Sequence, residues 1–269
     1  MTPIPLASTI GVFDSGVGGL SVLRAIRREL PGQNLLYVAD SAHAPYGDRS
    51  AEFITERAIA MTEFLLAAGS QAVVVACNTA TVVAVEQLRA WCPVPVVAIE
   101  PAIKPAASAT RSGVIAVLAT RQTVGSAAVA RLVEAHGRDV EIILTACPGL
   151  VEQVERAELG SEPTRALLRQ YLEPLLAAGV DTLVLGCTHY PFLTPLIREL
   201  VGPDVHIIDP ATAVARQLAR RLHLGLAPAM PTQPGREQFF SNSGIEQSRL
   251  VISALWGQSV EVHAFGLPR

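Results

Sequence analysis

The chain has 269 residues, 50% of them hydrophobic and 17% charged, with a formal net charge of −3. That balance excludes extended disorder and leaves no footprint for nucleic acid, since no basic cluster exceeds Arg27-Arg28 or Arg220-Arg221. No apolar run approaches the roughly 18 residues of a membrane span, and residues 1–9 lack the charge and apolar core of a secretory signal. The expectation is a cytoplasmic globular protein of one large or two modest domains.

In chain order, apolar runs predict strands near 10–14, 35–39, 72–76, 95–99, 114–118, 140–145, 182–186 and 205–208. Helical periodicity covers 19–30, 50–68, 80–91, 122–136, 161–178 and 210–223 between them. The Pro/Gly-rich stretch 225–235 reads as a long loop, followed by a short helix at 245–256 and a strand at 260–264. Strands alternating with helices argue an α/β fold with mostly parallel sheets. The chain also looks doubled: a strand ending at Asp14 precedes Cys77 much as a strand ending near Thr120 precedes Cys187. Two similar three-layer α/β/α lobes related by a pseudo-two-fold are expected, with the active site in the cleft between them. Residues 1–98 with 210–269 would form one lobe and 99–209 the other.

Two of the apolar runs end on a cysteine trailed by polar groups, Cys77-Asn78-Thr79 and Cys187-Thr188-His189. A residue just past a buried parallel strand sits at the sheet's carboxyl edge, where open α/β folds bind ligands. One free cysteine is most simply a small buried hydrophobe; two at matched strand ends point to chemistry. A thiol with an ordinary pKa of about 8.5 can be poised to give or take a proton near neutrality, and His189 is placed to assist Cys187. Cys92 and Cys147 read as packing or loop residues. A metal site would need further ligands, and His43, His136, His206, His223 and His263 form no cluster. No C-x-x-C pair exists, which disfavours redox work. Lys104, the only lysine, is wedged between Ile103 and Pro105, a poor site for a pyridoxal Schiff base.

Asp14-Ser15-Gly16-Val17-Gly18-Gly19 joins a strand to a helix. Glycines there permit a tight turn whose N–H groups favour an anion, while Asp14 itself would suit an ammonium. The spacing matches neither a dinucleotide fingerprint nor a P-loop, and the purely structural alternative makes Asp14 or Ser15 a helix cap. Pro45-Tyr46-Gly47-Asp48-Arg49-Ser50 reads as a turn before a helix capped by Ser50 or Asp48.

Taken together and in order, these segments resemble the cofactor-independent aspartate/glutamate racemase family, and within it the glutamate racemases. The resemblance runs from about residue 10 to about 210 on Asp14 to Gly19, Pro45-Tyr46-Gly47, Ala76 to Ala80, Thr120 with Thr123, and Gly186 to Pro191. It implies Cys77 and Cys187 as the two catalytic acid/bases; beside them we expect His189 to assist Cys187 and Asp14 to assist Cys77, with proton shuttling or ammonium binding as the alternative role of Asp14. Around the substrate it implies Asp14, Ser15, Pro45, Tyr46, Gly47, Asn78, Thr79, Thr120, Thr123, Thr188 and His189. It also implies a glutamate, Glu155 by position, with Glu152 as the alternative. Implied too are a glutamate substrate, no cofactor, no metal, no nucleic acid or membrane partner, a possible homodimer, and D-glutamate supplied to peptidoglycan precursors. Three segments depart from the family pattern: Ala42-His43-Ala44 replaces an arginine-containing stretch, Asp209-Pro210-Ala211 replaces Asp-Ser-Gly, and Asn242-Ser243-Gly244-Ile245 only approximates Thr-Ser-Gly-Asp. An aspartate racemase would differ chiefly after the second cysteine, and a decarboxylase of this fold would lack one thiol. A hinge-type amino-acid binding protein would not need either.

Overall fold

A computed structural model describes residues 9–222 and 234–266. Its first sheet contains β1 (Thr9–Asp14), β2 (Asn34–Ala39), β3 (Ser70–Val75), β4 (Val96–Ala98), β9 (Glu237–Ser241) and β10 (Val262–Ala264). The second contains β5 (Val114–Ala119), β6 (Glu141–Ala146), β7 (Thr182–Leu185) and β8 (His206–Ile208). The helices are α1 (Leu20–Glu29), α2 (Ala51–Ala67), α3 (Asn78–Trp91), α4 (Ile103–Ala109), α5 (Arg121–Val124) and α6 (Ala127–His136). They continue with α7 (Leu150–Glu155), α8 (Glu162–Ala177), α9 (Thr194–Val201), α10 (Ala211–Arg221) and α11 (Ile245–Trp256).

The strand orders are β10-β9-β2-β1-β3-β4 and β6-β5-β7-β8, and every pairing is parallel. So β1 lies between β2 and β3 as β5 lies between β6 and β7. The doubled pattern is a repeated sheet order in two α/β lobes. Strand β3 and the residue after it are buried from Ala72 to Ala76, which is why their sequence is an unbroken apolar run rather than an alternating one. The ladder carries past the strand ends: Ala76 N–H donates to Phe13 O at 2.9 Å, and Gly186 N–H to Leu118 O at 2.8 Å. Asp14, Cys77, Thr120 and Cys187 are thereby delivered to the carboxyl edges of the two sheets.

The lobes share a core. One apolar cluster runs from Ile10, Val12 and Tyr37 through Leu118, Leu185 and Tyr190 to Leu218 and Phe239. Helix α10 follows the last strand of the second sheet and packs on α1, with Leu23, Ile26, Ala215 and Leu218 all buried. Truncating one of these leucines to alanine should cost about 2–5 kcal/mol.

Some expectations are corrected. The helix expected over 122–136 is two: Gly125 ends α5, and Ser126 caps α6 by accepting the Val129 N–H at 3.2 Å. Ser50, not Asp48, caps α2, accepting from Phe53 N–H at 3.2 Å. Neither Asp14 nor Ser15 caps α1, which starts after Gly19 without a side-chain cap. Strand β9 and helices α4, α7 and α9 were not anticipated. The loop expected over 225–235 lies outside the described residues except at 234 and 235, as do residues 1–8. Among the described residues, no helix is long and apolar enough to cross a membrane.

Candidate active site

Helix α3 begins directly after Cys77, whose Sγ accepts the Ala80 N–H at 3.4 Å and so caps the helix. Cys77 donates in turn to Ser15 Oγ at 3.6 Å, and Ser15 donates to Asp14 Oδ1 at 3.3 Å. Two effects oppose each other at this sulfur. A helix N-terminus favours a thiolate, but burial, with Asp14 nearby, pushes the thiol up to about 12. Burial wins, and Cys77 is a thiol near neutral pH. Asp14 is fully buried and raised above the usual carboxylate range by that burial. The charge of His189, the Gly16 N–H and the Thr188 hydroxyl pull the other way. Its Oδ2 accepts from Thr188 Oγ1 at 2.9 Å.

Cys187 has a different neighbour. Its Sγ is 3.7 Å from His189 Nδ1, and His189 Nε2 is 2.6 Å from Glu155 Oε1. Burial opposes charge on the imidazole, yet its contacts with Cys187 and Glu155 hold it well above its ordinary range. An imidazolium at that distance is a counterion for a thiolate. Glu155 also accepts the Val17 N–H at 2.7 Å.

The glycine-rich turn therefore has a role other than the expected one. Its free N–H groups take carboxylates of the protein itself, Gly16 that of Asp14 at 2.9 Å and Val17 that of Glu155. Glycine is required by proximity, not by a left-handed φ. A Cβ on Gly16 would stand 1.9 Å from Glu155 Oε1, and one on Gly18 would stand 2.3 Å from His189 Nδ1. Tyr37 Oη donates to Gly16 O at 2.6 Å from behind the turn, and Ser21 Oγ reaches Thr188 O at 3.0 Å. Neither Tyr37 nor Ser21 was singled out in the sequence, and a tyrosine or serine in a buried run carries no signal of such a partner.

Both thiols line one small cavity. Its other walls are Ser15, Pro45, Tyr46, Gly47, Asn78, Thr79, Thr120, Val151, Thr188 and His189. Of the residues singled out, Asp14, Thr123 and Glu155 do not line it. Asp14 stands behind Ser15 and Thr188, Glu155 behind His189, and Thr123 behind Thr79 and Thr120, its Oγ1 at 3.3 and 3.0 Å from theirs. Glu152 lines an adjoining cleft with Cys147 and Arg121 instead. Val151 was missed, as an apolar side chain on a six-residue helix gives no chemical cue. Asn78 is 2% exposed and neither end of its amide has a hydrogen-bond partner in the protein. Buried polar groups are nearly always paired, so this amide is available to a ligand that both donates and accepts. Among the described residues, no group of three or more His, Cys, Asp or Glu could hold a metal ion.

The profile of the Asp/Glu/Hydantoin racemase family matches residues 10–218. A glutamate racemase of Ectopseudomonas mendocina is 54% identical over 258 residues, 95% of this chain and 97% of that protein. One from Methylococcus capsulatus is 54% identical over 247 residues, 92% of this chain and 91% of that protein. Among solved structures, a glutamate racemase isoform from Bacillus anthracis superposes with a TM-score of 0.87 at 34% identity, covering 97% of this chain and 98% of its own. The Escherichia coli glutamate racemase, solved with L-glutamate, gives 0.84 at 33% identity, covering 99% and 100%. The chain belongs to the Asp/Glu/Hydantoin racemase family and, within it, groups with the glutamate racemases.

Proposed function

We propose that the protein interconverts L-glutamate and D-glutamate, moving the α-proton between Cys77 and Cys187 without a cofactor. One observation carries the reading: two buried thiols line a single cavity, and each has its own set of proton-handling partners. Inversion at Cα needs a base on one face and an acid on the other, and two opposed sulfurs do this without turning the substrate over.

In one direction Cys187, as thiolate, takes the α-proton. The Cα–H bond breaks as an S–H bond forms, and Cys77 as thiol delivers its own proton to the opposite face. The reverse direction exchanges the roles. Ser15 connects Cys77 to Asp14, a relay of hydroxyl and carboxyl through which the proton of this thiol is handled. His189, held protonated between Cys187 and Glu155, does the corresponding work on the other side. The carbanion has no ring to accept its electrons. Hydroxyl and amide groups fixed in a water-poor cavity must stabilise it electrostatically, and Asn78, Thr79 and Thr188 are the groups we assign to that task.

We assign residues 1–98 and 210–269 to one lobe and 99–209 to the other, with the substrate between them. In this reading D-glutamate supplies peptidoglycan precursors, and through them cell shape, in the cytoplasm; a second copy of the chain is the partner to look for by sedimentation. The deciding experiment follows the optical rotation of L- and D-glutamate, beside L-aspartate, in heavy water with no cofactor added. Rotation of either glutamate should decay to zero with deuterium at Cα, and aspartate should change far more slowly. Stable rotation, or inversion with the original proton retained, would overturn the proposal.

A further inference from the structure

Asp40 follows β2, is fully buried, and does not line the cavity. Arg57 of α2 grips its carboxylate twice, Nε to Oδ2 at 2.8 Å and Nη2 to Oδ1 at 2.7 Å. Tyr46 Oη donates to Oδ2, Asn242 Nδ2 donates to Oδ1, and His43 Nδ1 lies 2.9 Å from Oδ1. Asn242 turns its amide oxygen to the Ala42 N–H at 2.9 Å. Four separate pieces of chain thus meet on one carboxylate: the end of β2, α2, the short turn Tyr46–Asp48, and the segment between β9 and α11.

Burial pushes the Asp40 carboxyl up, but the hydrogen bonds from Arg57, Tyr46 and His43 outweigh it and hold the group below the usual carboxylate range. A buried ion pair is weak support for stability, because desolvation offsets much of the attraction. What a filled set of hydrogen bonds does secure is geometry. The geometry in question is that of a cavity wall. Tyr46 and Gly47 line the cavity, and Gly47 abuts the second lobe so closely that a Cβ there would stand 2.7 Å from Thr120 Cβ. A small shift of this turn changes the width of the cleft.

We propose that Asp40 is a positioning residue for the reaction, acting through Tyr46 to fix the Tyr46-Gly47 wall against which the amino acid binds. Asn242 makes the C-terminal segment part of the same support. Two of the three segments where the chain departs from its family's pattern, around His43 and around Asn242, therefore meet at one anion. The proposal rests on the racemase reading. The partners of the thiols, Ser15 and Ala80 for Cys77 and His189 for Cys187, lie outside this network. Its loss should therefore weaken substrate binding more than proton transfer.

The test is a double-mutant cycle between Asp40→Asn and Tyr46→Phe, read as kcat and KM for glutamate. Asp40→Asn should raise KM about tenfold with kcat within about threefold of wild type. Tyr46→Phe removes the same hydrogen bond from its other end, so the double variant should be no worse in KM than the more affected single variant. If Asp40→Asn does not fold, Asn242→Ala carries the test. It should raise KM about threefold in the wild-type background and leave it unchanged in Tyr46→Phe. An unchanged KM, fully additive effects, or a loss confined to kcat would overturn the positioning role. A wild-type chain that racemises glutamate separates that outcome from failure of the racemase reading, which a wild-type chain without turnover would overturn instead.

Discussion

The two half-sites sit at matching edges of two sheets with the same local strand order, yet their chemistry differs. Cys77 is held by hydroxyl, amide and carboxyl groups, with Asp14 behind Ser15. Cys187 is held by an imidazole that is itself locked by a carboxylate. The fold supplies the matching placement at the two sheet edges, and the side chains supply the asymmetry. One thiol is pushed up to about 12 by burial, while the other has an imidazole beside it.

The strongest way to break this comparison is to remove one sulfur at a time. Cys77→Ala and Cys187→Ala should each lower racemisation at least about a thousandfold. Each variant keeps one base, and that base faces one side of Cα. Each should therefore slowly exchange the α-proton of a single enantiomer with heavy water, and the two variants should select opposite enantiomers, as read by loss of the Cα–H signal. If both exchanged the same enantiomer, the sulfurs would not be opposed.

A second test sharpens the asymmetry. His189→Asn removes the counterion of Cys187, and a fall of about a hundredfold in kcat/KM is expected. Enantiomers have an equilibrium constant of one, so kcat/KM must fall equally in both directions. The asymmetry has to appear in kcat and KM taken separately. Asp14→Asn should leave the opposite imprint, because it acts on the other sulfur. Identical imprints from the two variants would mean that the half-sites are equivalent after all.

Gly18→Ala probes the half-site of Cys187 without removing a polar group. A Cβ 2.3 Å from His189 Nδ1 must displace the ring, and misplacement by about 1 Å can cost roughly a hundredfold in rate. The thermal midpoint should fall as well, since the displaced ring is buried and held by Cys187 and Glu155. Full activity in this variant would show that His189 does not need its present position.

The sheet edges were legible because a strand buried on both faces is written as an uninterrupted apolar run, and because the residue after it is placed by that run alone. Cys77 and Cys187 needed nothing more. Glu155 is different: it sits on a six-residue helix too short to show periodicity, and its partners Val17 and His189 are far away in the chain. Strand β9 escaped because Glu237-Gln238-Phe239-Phe240-Ser241 has no repeating apolar pattern. Asp40 and Asn242 are hydrogen-bonded across 202 residues, and nothing local to either marks it as a partner. Local chemistry announces strands, caps and thiols. Contacts that join distant segments on one buried charge must be seen in three dimensions.

That buried charge gives the smallest of the expected effects, and one that separates it from the thiols. Asp40 has a folded-state pKa below its unfolded value of about 3.9. Its ionised form therefore contributes stability above the unfolded value, and the contribution is lost as pH falls through the folded one. Asparagine has nearly the shape of a protonated aspartic acid, so Asp40→Asn should be less stable than wild type at pH 7. The gap should narrow as the pH drops below about 4. Urea midpoints of both proteins, taken from pH 7 down to about pH 3, would show it. The sulfur variants should run parallel to wild type over the same range, because their losses are in turnover. A gap between wild type and Asp40→Asn that is independent of pH would mean that the carboxylate's charge plays no part in holding the four segments together.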